Sequence, residues 1–212
     1  MSRNSSGISA RIGFVPTYRF RYSDWCRELH ERCLAVLRST EGLELVTLGE
    51  GATAEQAVHR LDEAEVAVRV LREAEVDALV VCPLDFGDER SVAKVAEGLK
   101  VPVLLFATSE PPARDDPGMG RMSDSYCGNL SIASAFHRRG IRFRFAGVFL
   151  PEDEGLKSEL NTFTRAVAVV AGLTGARIGQ VGVRTPSFET VMYDEAALIR
   201  KFGQNVIFRN VS

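Results

Sequence analysis

The chain has 212 residues, of which 45% are hydrophobic and 25% charged, with a formal net charge of −2. These values fit an ordinary globular protein, and the absence of a basic block argues against a nucleic-acid partner. The longest apolar stretches, such as residues 166–173, are far too short to span a membrane.

Residues 1–10 are polar and small, with no apolar core, and read as a frayed tail rather than a signal peptide. From there the hydrophobic pattern alternates between short continuous runs and helical periodicity. The runs are 12–15, 43–48, 78–82, 101–107, 143–149, 178–183 and 205–208. Their continuity, without strict alternation, is the mark of strands buried on both faces. Between them the spacing predicts helices at about 23–39, 54–74, 89–99, 128–138, 156–173 and 194–202. In the second, Ala57, Leu61, Ala64, Val68 and Leu71 make one apolar stripe, with Thr53 as N-cap and Gln56 as its capping-box partner.

This βα alternation predicts a doubly wound parallel sheet of flavodoxin-like shape, a three-layer α/β/α arrangement over residues 11–174. Gly172 to Ala176 reads as a helix terminus and turn, so residues 175–212 form one further βαβ unit that opens a second domain or extends the first sheet. One such unit cannot bury both faces of its strands. Self-association through its exposed apolar face is therefore expected.

Polar and aromatic residues gather in the loops after successive strands: 17–22, 83–89, 109–127 and 184–190. In such a fold these loops open on the carboxyl edge of the sheet, where ligands bind. In the first loop, Arg19 and Arg21 stand between Tyr18, Phe20 and Tyr22. Guanidinium forks suit hydroxyl, carboxylate or phosphate groups, and the aromatics suit a sugar's apolar face. The alternative is that both arginines lie over the sheet edge or pair with acids. Phe86 is either an aromatic wall of the crevice or a plug for the sheet edge. The 109–125 loop is long for a compact domain and leads to Cys127 at a helix start. There Cys127 is either a thiol with lowered pKa beside free N–H groups or a small buried residue.

Several chemistries lack their residues. No G-x-G-x-x-G or P-loop is present, and the first loop lacks the glycines and small hydroxyl residues that cradle a flavin phosphate. The three histidines, His30, His59 and His137, all fall in predicted helices, away from the strand-end loops, and read as structural or surface residues. Asp85, Asp88 and Glu89 are the only acidic cluster in a strand-end loop, and helix capping accounts for Asp88 and Glu89. No metal site and no complete catalytic set is expected on this chain. The four cysteines form no C-x-x-C pair, which points to a reducing compartment, most simply the cytoplasm.

Arg11-Ile-Gly-Phe-Val-Pro16, Asp85-Phe-Gly-Asp-Glu89, Cys127-Gly-Asn129 and Arg177-Ile-Gly-Gln-Val-Gly-Val-Arg184 occur in that order, followed by Phe188-Glu-Thr190 and Phe202-Gly203. Together they resemble the N-terminal part of the L-fucose isomerase / L-arabinose isomerase-like family, from about residue 11 to 209. The resemblance implies a metal-dependent aldose–ketose isomerase that uses manganese or another divalent ion. The ion and the acid–base residues would lie beyond residue 212, so this chain alone is expected to be inactive. The N-terminal domain would help close a neighbouring subunit's site in a homo-oligomer. The resemblance implies that the Tyr18–Arg21 loop, with Tyr18, Arg19 and Arg21, and the segment around Arg184 and Thr185 reach the sugar; Phe86 and Cys127 join them as candidates from the reading of the loops. The first loop departs from the fucose and arabinose enzymes, which leaves the sugar open. Two other readings stand beside this one: a stand-alone sugar or small-ligand binding module, and a metal-independent racemase using Cys82 and Cys127.

Overall fold

The computed structural model describes residues 9–19, 21–110 and 123–210. The expected tail up to residue 8, Phe20 and most of the 109–125 loop lie outside the described residues. The chain forms two compact units, residues 1–167 and 168–212.

In the first unit, strands and helices alternate: β1 (Ala10–Thr17), α1 (Asp24–Ser39), β2 (Leu43–Val46), α2 (Leu61–Glu73), β3 (Ala78–Pro83), α3 (Glu89–Leu99), β4 (Val103–Thr108), α4 (Ser125–Arg138), β5 (Phe143–Phe149) and α5 (Glu154–Leu173). The five strands are all parallel in the order β2-β1-β3-β4-β5. That is the flavodoxin-like order. The continuous apolar runs become the central strands: every residue of β3 and β4 is buried, and β1 is buried except at Arg11. The edge strands β2 and β5 are only partly covered.

Alternation along each strand divides the core into two layers. Val15, Leu79, Val81, Val103 and Leu105 pack with Ala64, Leu71, Val92, Val95, Ile132 and Phe136 of α2, α3 and α4. On the other face Phe14 meets His30 of α1 edge-on at 5.7 Å. Arg32 of α1 makes a two-pronged bond to Glu152, just ahead of α5, at 2.7 Å on both prongs. The three-layer α/β/α arrangement follows. No helix among the described residues is long and apolar enough to cross a membrane.

The start of α2 corrects the sequence reading. The helix begins at Leu61, Thr53 makes no side-chain bond, and Gln56 adopts a left-handed φ of 51°. Competition from the sheet explains this. Val58 N–H donates to Pro16 O at 3.0 Å, Thr17 Oγ1 donates to Val58 O at 2.7 Å, and Ala57 and Val58 are buried. Tertiary bonds at the end of β1 therefore hold this segment extended and postpone the helix. At α4 the opposite occurs. The helix starts at Ser125, three residues earlier than expected, and Ser125 Oγ donates to Pro83 O at 2.6 Å while accepting Thr108 N–H at 2.9 Å.

In the second unit, β6 (Arg177–Val181), a short 3₁₀ turn (Glu189–Val191), α6 (Glu195–Phe202) and β7 (Asn205–Arg209) form the expected βαβ arrangement. β6 and β7 pair in parallel in a two-stranded sheet of their own. Asp194 caps α6 by accepting Ala197 N–H at 2.8 Å. The contact boundary falls inside α5, after Val167, ahead of the Gly172–Ala176 turn. Val181, Val183 and Phe208 are 73%, 86% and 57% exposed, as expected for one βαβ unit taken by itself.

The Thr17 hydroxyl joins two loops, donating to Val58 O and accepting Asp88 N–H at 3.0 Å. Thr17→Val keeps the shape and strands both partners, so it should lower stability by roughly 1–3 kcal/mol. The urea unfolding midpoint measures this.

Candidate functional site

In this strand order, the chain leaves β1 for β2 on one side and then places β3 on the other. The carboxyl ends of β1 and β3 are therefore the topological switch point, the crevice where open α/β sheets take ligands. Thr17 and Pro83 are register partners there. The loops that follow carry Tyr18, Arg19, Arg21 and Phe86.

The Asp85 carboxylate ties the two loops together. It accepts Arg19 N–H at 3.0 and 3.3 Å and Gly87 N–H at 2.8 Å. Burial pushes its pKa above the ordinary carboxylate value, against the opposing pull of those N–H groups and of the Arg19 charge. The Arg19 guanidinium donates from Nε to Gly87 O at 2.8 Å and pairs with Glu89. It also lies 4.3 Å from the centre of the half-buried Phe86 ring. Arg19 thus braces the wall, whereas Arg21 is exposed and makes no ion pair among the described residues.

Asp88 caps α3 by accepting Ser91 N–H at 2.8 Å. With Asp85 clipping the loops and Glu89 held by Arg19, each acid of this cluster already has structural work. Among the described residues no group of three or more His, Cys, Asp or Glu side chains is arranged to hold a metal ion.

An aromatic and imidazole layer covers the α1–α2 side of the crevice. Tyr18 is buried, stacks on His59 at 4.3 Å and 24°, and meets Tyr22 edge-on at 5.2 Å. Burial, then the charges of Glu63 and Glu55, push the Tyr18 hydroxyl up to about 12. Tyr22 Oη lies 2.7 Å from His30 Nδ1. Burial first, then the Arg38 charge, pushes His30 down to about 4, while burial raises Tyr22. The imidazole is therefore neutral at physiological pH, and Tyr22 O–H donates to its Nδ1 lone pair. His59 Nδ1 lies 2.7 Å from Glu63 Oε2, close but out of line for a hydrogen bond, and that oxygen also accepts the His59 backbone N–H at 3.0 Å.

The two histidines correct the sequence reading. His59 precedes α2 instead of lying within it, and both His59 and His30 reach the first strand-end loop. His137 remains in the last turn of α4. The acidic turn Asp62–Glu63 was the signal that α2 starts at Leu61, because carboxylates favour a helix N-terminus. A start there leaves His59 in the preceding loop.

Cys127 sits partly exposed in the first turn of α4. Neighbouring Gly128 packs against the β3–α3 loop so tightly that a Cβ there would lie 1.8 Å from Phe86 O. Cys82, by contrast, is fully buried, and burial followed by contact with Cys33 pushes its thiol well up. A thiol so placed cannot face a substrate carbon, which removes the racemase reading. Arg184 and Thr185 belong to the second unit, where both are exposed beyond β6. The open depression of roughly 850 Å³ near Lys100, Pro102, Arg139 and Phe143 lies at the amino ends of β4 and β5. That is the edge opposite the converging loops.

Residues 13–174 match the family model described as the fucose/sulfoquinovose isomerase N-terminal domain. No curated protein matches the chain.

Two outcomes follow from the packing of this edge. His30 holds its proton less tightly when folded (about 4) than when unfolded (6.5), so the unfolded state gains protons first on acidification. The stability from neutral His30 is complete above pH 6.5 and is lost as the pH falls towards 4. Its full loss amounts to roughly 3 kcal/mol. His30→Gln should remove that share of the acid sensitivity, measured as the wild-type-minus-variant difference in urea unfolding across this range. Gly128→Ala should cost roughly 1–3 kcal/mol by the same measurement, because its Cβ meets backbone rather than a movable side chain.

Proposed function

The chain belongs to the fucose/sulfoquinovose isomerase N-terminal domain family, and from that premise we propose that its β1–β3 edge is a sugar-binding wall. It is the N-terminal portion of a sugar isomerase. The observation that carries the reading is the convergence of Tyr18, Arg19, Phe86 and the exposed Arg21 at the switch point, on loops already braced by Asp85.

The chemistry of this edge suits a polyhydroxylated ligand. Tyr18 keeps its hydroxyl proton throughout the physiological range. Arg21 offers guanidinium donors to hydroxyl oxygens or to an acidic substituent. The Phe86 face is backed by Arg19 and offers an apolar plane. Cys127, beside Gly128 on α4, borders the Phe86 loop. On the second unit, taken by itself, Arg184 and Thr185 are proposed as sugar contacts from the family likeness alone.

Manganese or another divalent ion would polarise the sugar's carbonyl and hydroxyl oxygens in the isomerase as a whole. The described residues do not fit such an ion: Asp85, Asp88 and Glu89 are committed to backbone, cap and Arg19. We therefore assign this chain substrate and subunit contacts in a homo-oligomer and route no proton-transfer step of the isomerisation through it.

Saturation-transfer NMR of the 212-residue chain with L-fucose and with sulfoquinovose tests the wall. Weak binding is expected, and Arg21→Ala should weaken it roughly tenfold or more, the cost of one charge-assisted bond. No transfer to either sugar would overturn the reading.

A further inference from the structure

His59 and Glu63 form an acid–base pair at this edge that sugar contact alone does not require. Glu63 is nearly buried, its side chain 6% exposed, while the His59 side chain retains 19%. The Glu63 carboxylate is anchored, accepting the His59 backbone N–H at 3.0 Å and facing Arg60 at 3.4 Å. A bare Nδ1 lone pair 2.7 Å from a carboxylate oxygen would be repelled, so this approach favours the tautomer with its proton on Nδ1. Nε2 then carries the available lone pair. Tyr18 stacks on the ring at 4.3 Å and holds its plane. A partly exposed histidine close beside a buried carboxylate, next to the converging strand-end loops, has the groups a general base needs.

We propose that the His59–Glu63 dyad opens the cyclic hemiacetal of an aldose held at this wall. The inference rests on the sugar-binding reading and adds an activity to it. Aldose–ketose isomerisation needs the open-chain sugar, whereas aldoses in water are mostly rings. Nε2 of His59 takes the proton from the anomeric O1–H. The O1 electron pair forms the C1=O bond, the C1–O5 bond breaks, and the pair leaving with O5 is protonated by the imidazolium. Glu63 stabilises that imidazolium while it lasts. The step consumes no metal, oxidant or co-reactant, and its reversal closes either anomer.

Anomer exchange therefore reports the activity. Exchange NMR between the α and β signals of L-fucose, with and without the 212-residue chain, should show faster interconversion in its presence. His59→Gln should lower the protein-dependent rate at least about tenfold, and Glu63→Gln should lower it in the same direction. His137→Gln, remote on α4, should leave it unchanged. Saturation transfer to His59→Gln should persist, showing that the fold and the wall survive. Binding by wild type without faster exchange would overturn ring opening and leave the sugar wall intact. Equal loss in His137→Gln would also overturn it, by showing non-specific imidazole catalysis. Absence of binding would overturn both readings.

Discussion

The carboxyl edge of this protein depends on one partly buried carboxylate. Asp85 accepts backbone N–H groups from its own loop, at Gly87, and from the loop after β1, at Arg19. Burying such a group is unfavourable by itself, and hydrogen bonds to its charged form offset that cost. Once Asp85 is in place, the Arg19 side chain runs back to Gly87 O and Glu89 across the Phe86 ring. Two loops that follow different strands are thereby held as one surface. A ligand meeting such a surface need not supply the entropy of ordering it.

The neighbouring layer shows how position sets the chemistry of a residue type. His30 lies among Phe14 and Tyr22, and burial strips it of charge. His59 stands beside Glu63 and keeps part of its side chain exposed. The first is a packing element that accepts a hydrogen bond from the Tyr22 hydroxyl; the second sits partly exposed beside a carboxylate. Tyr18 touches Tyr22 and His59 and so links the two environments.

Much of the candidate edge was legible in the chain. The strand runs, the loops that follow them and the order of the short motifs led to the flavodoxin-like fold and to the family that residues 13–174 match. Asp88 was legible as a cap because capping is a local rule that needs only the residues around it. His59 was not. Ala57, two residues before it, continues a helical stripe by spacing, yet Thr17 and Pro16 hold the intervening Val58 against the sheet. The partners that decide this conformation lie about forty residues away in sequence, at |i−j| = 41 for the Thr17–Val58 bond.

The sequence by itself determined the class of fold, the alternation of elements and which loops face the carboxyl edge, because hydrophobic periodicity and turn chemistry are local properties. Only the tertiary structure decided what each polar side chain does there. Arg19 became a brace while Arg21 stayed exposed, Asp85 became a clip, and His59 moved from a supposed helix to the side of Glu63. The reason is physical: hydrogen bonding, burial and charge act through space, and the groups that set them for these residues come from other strands and helices.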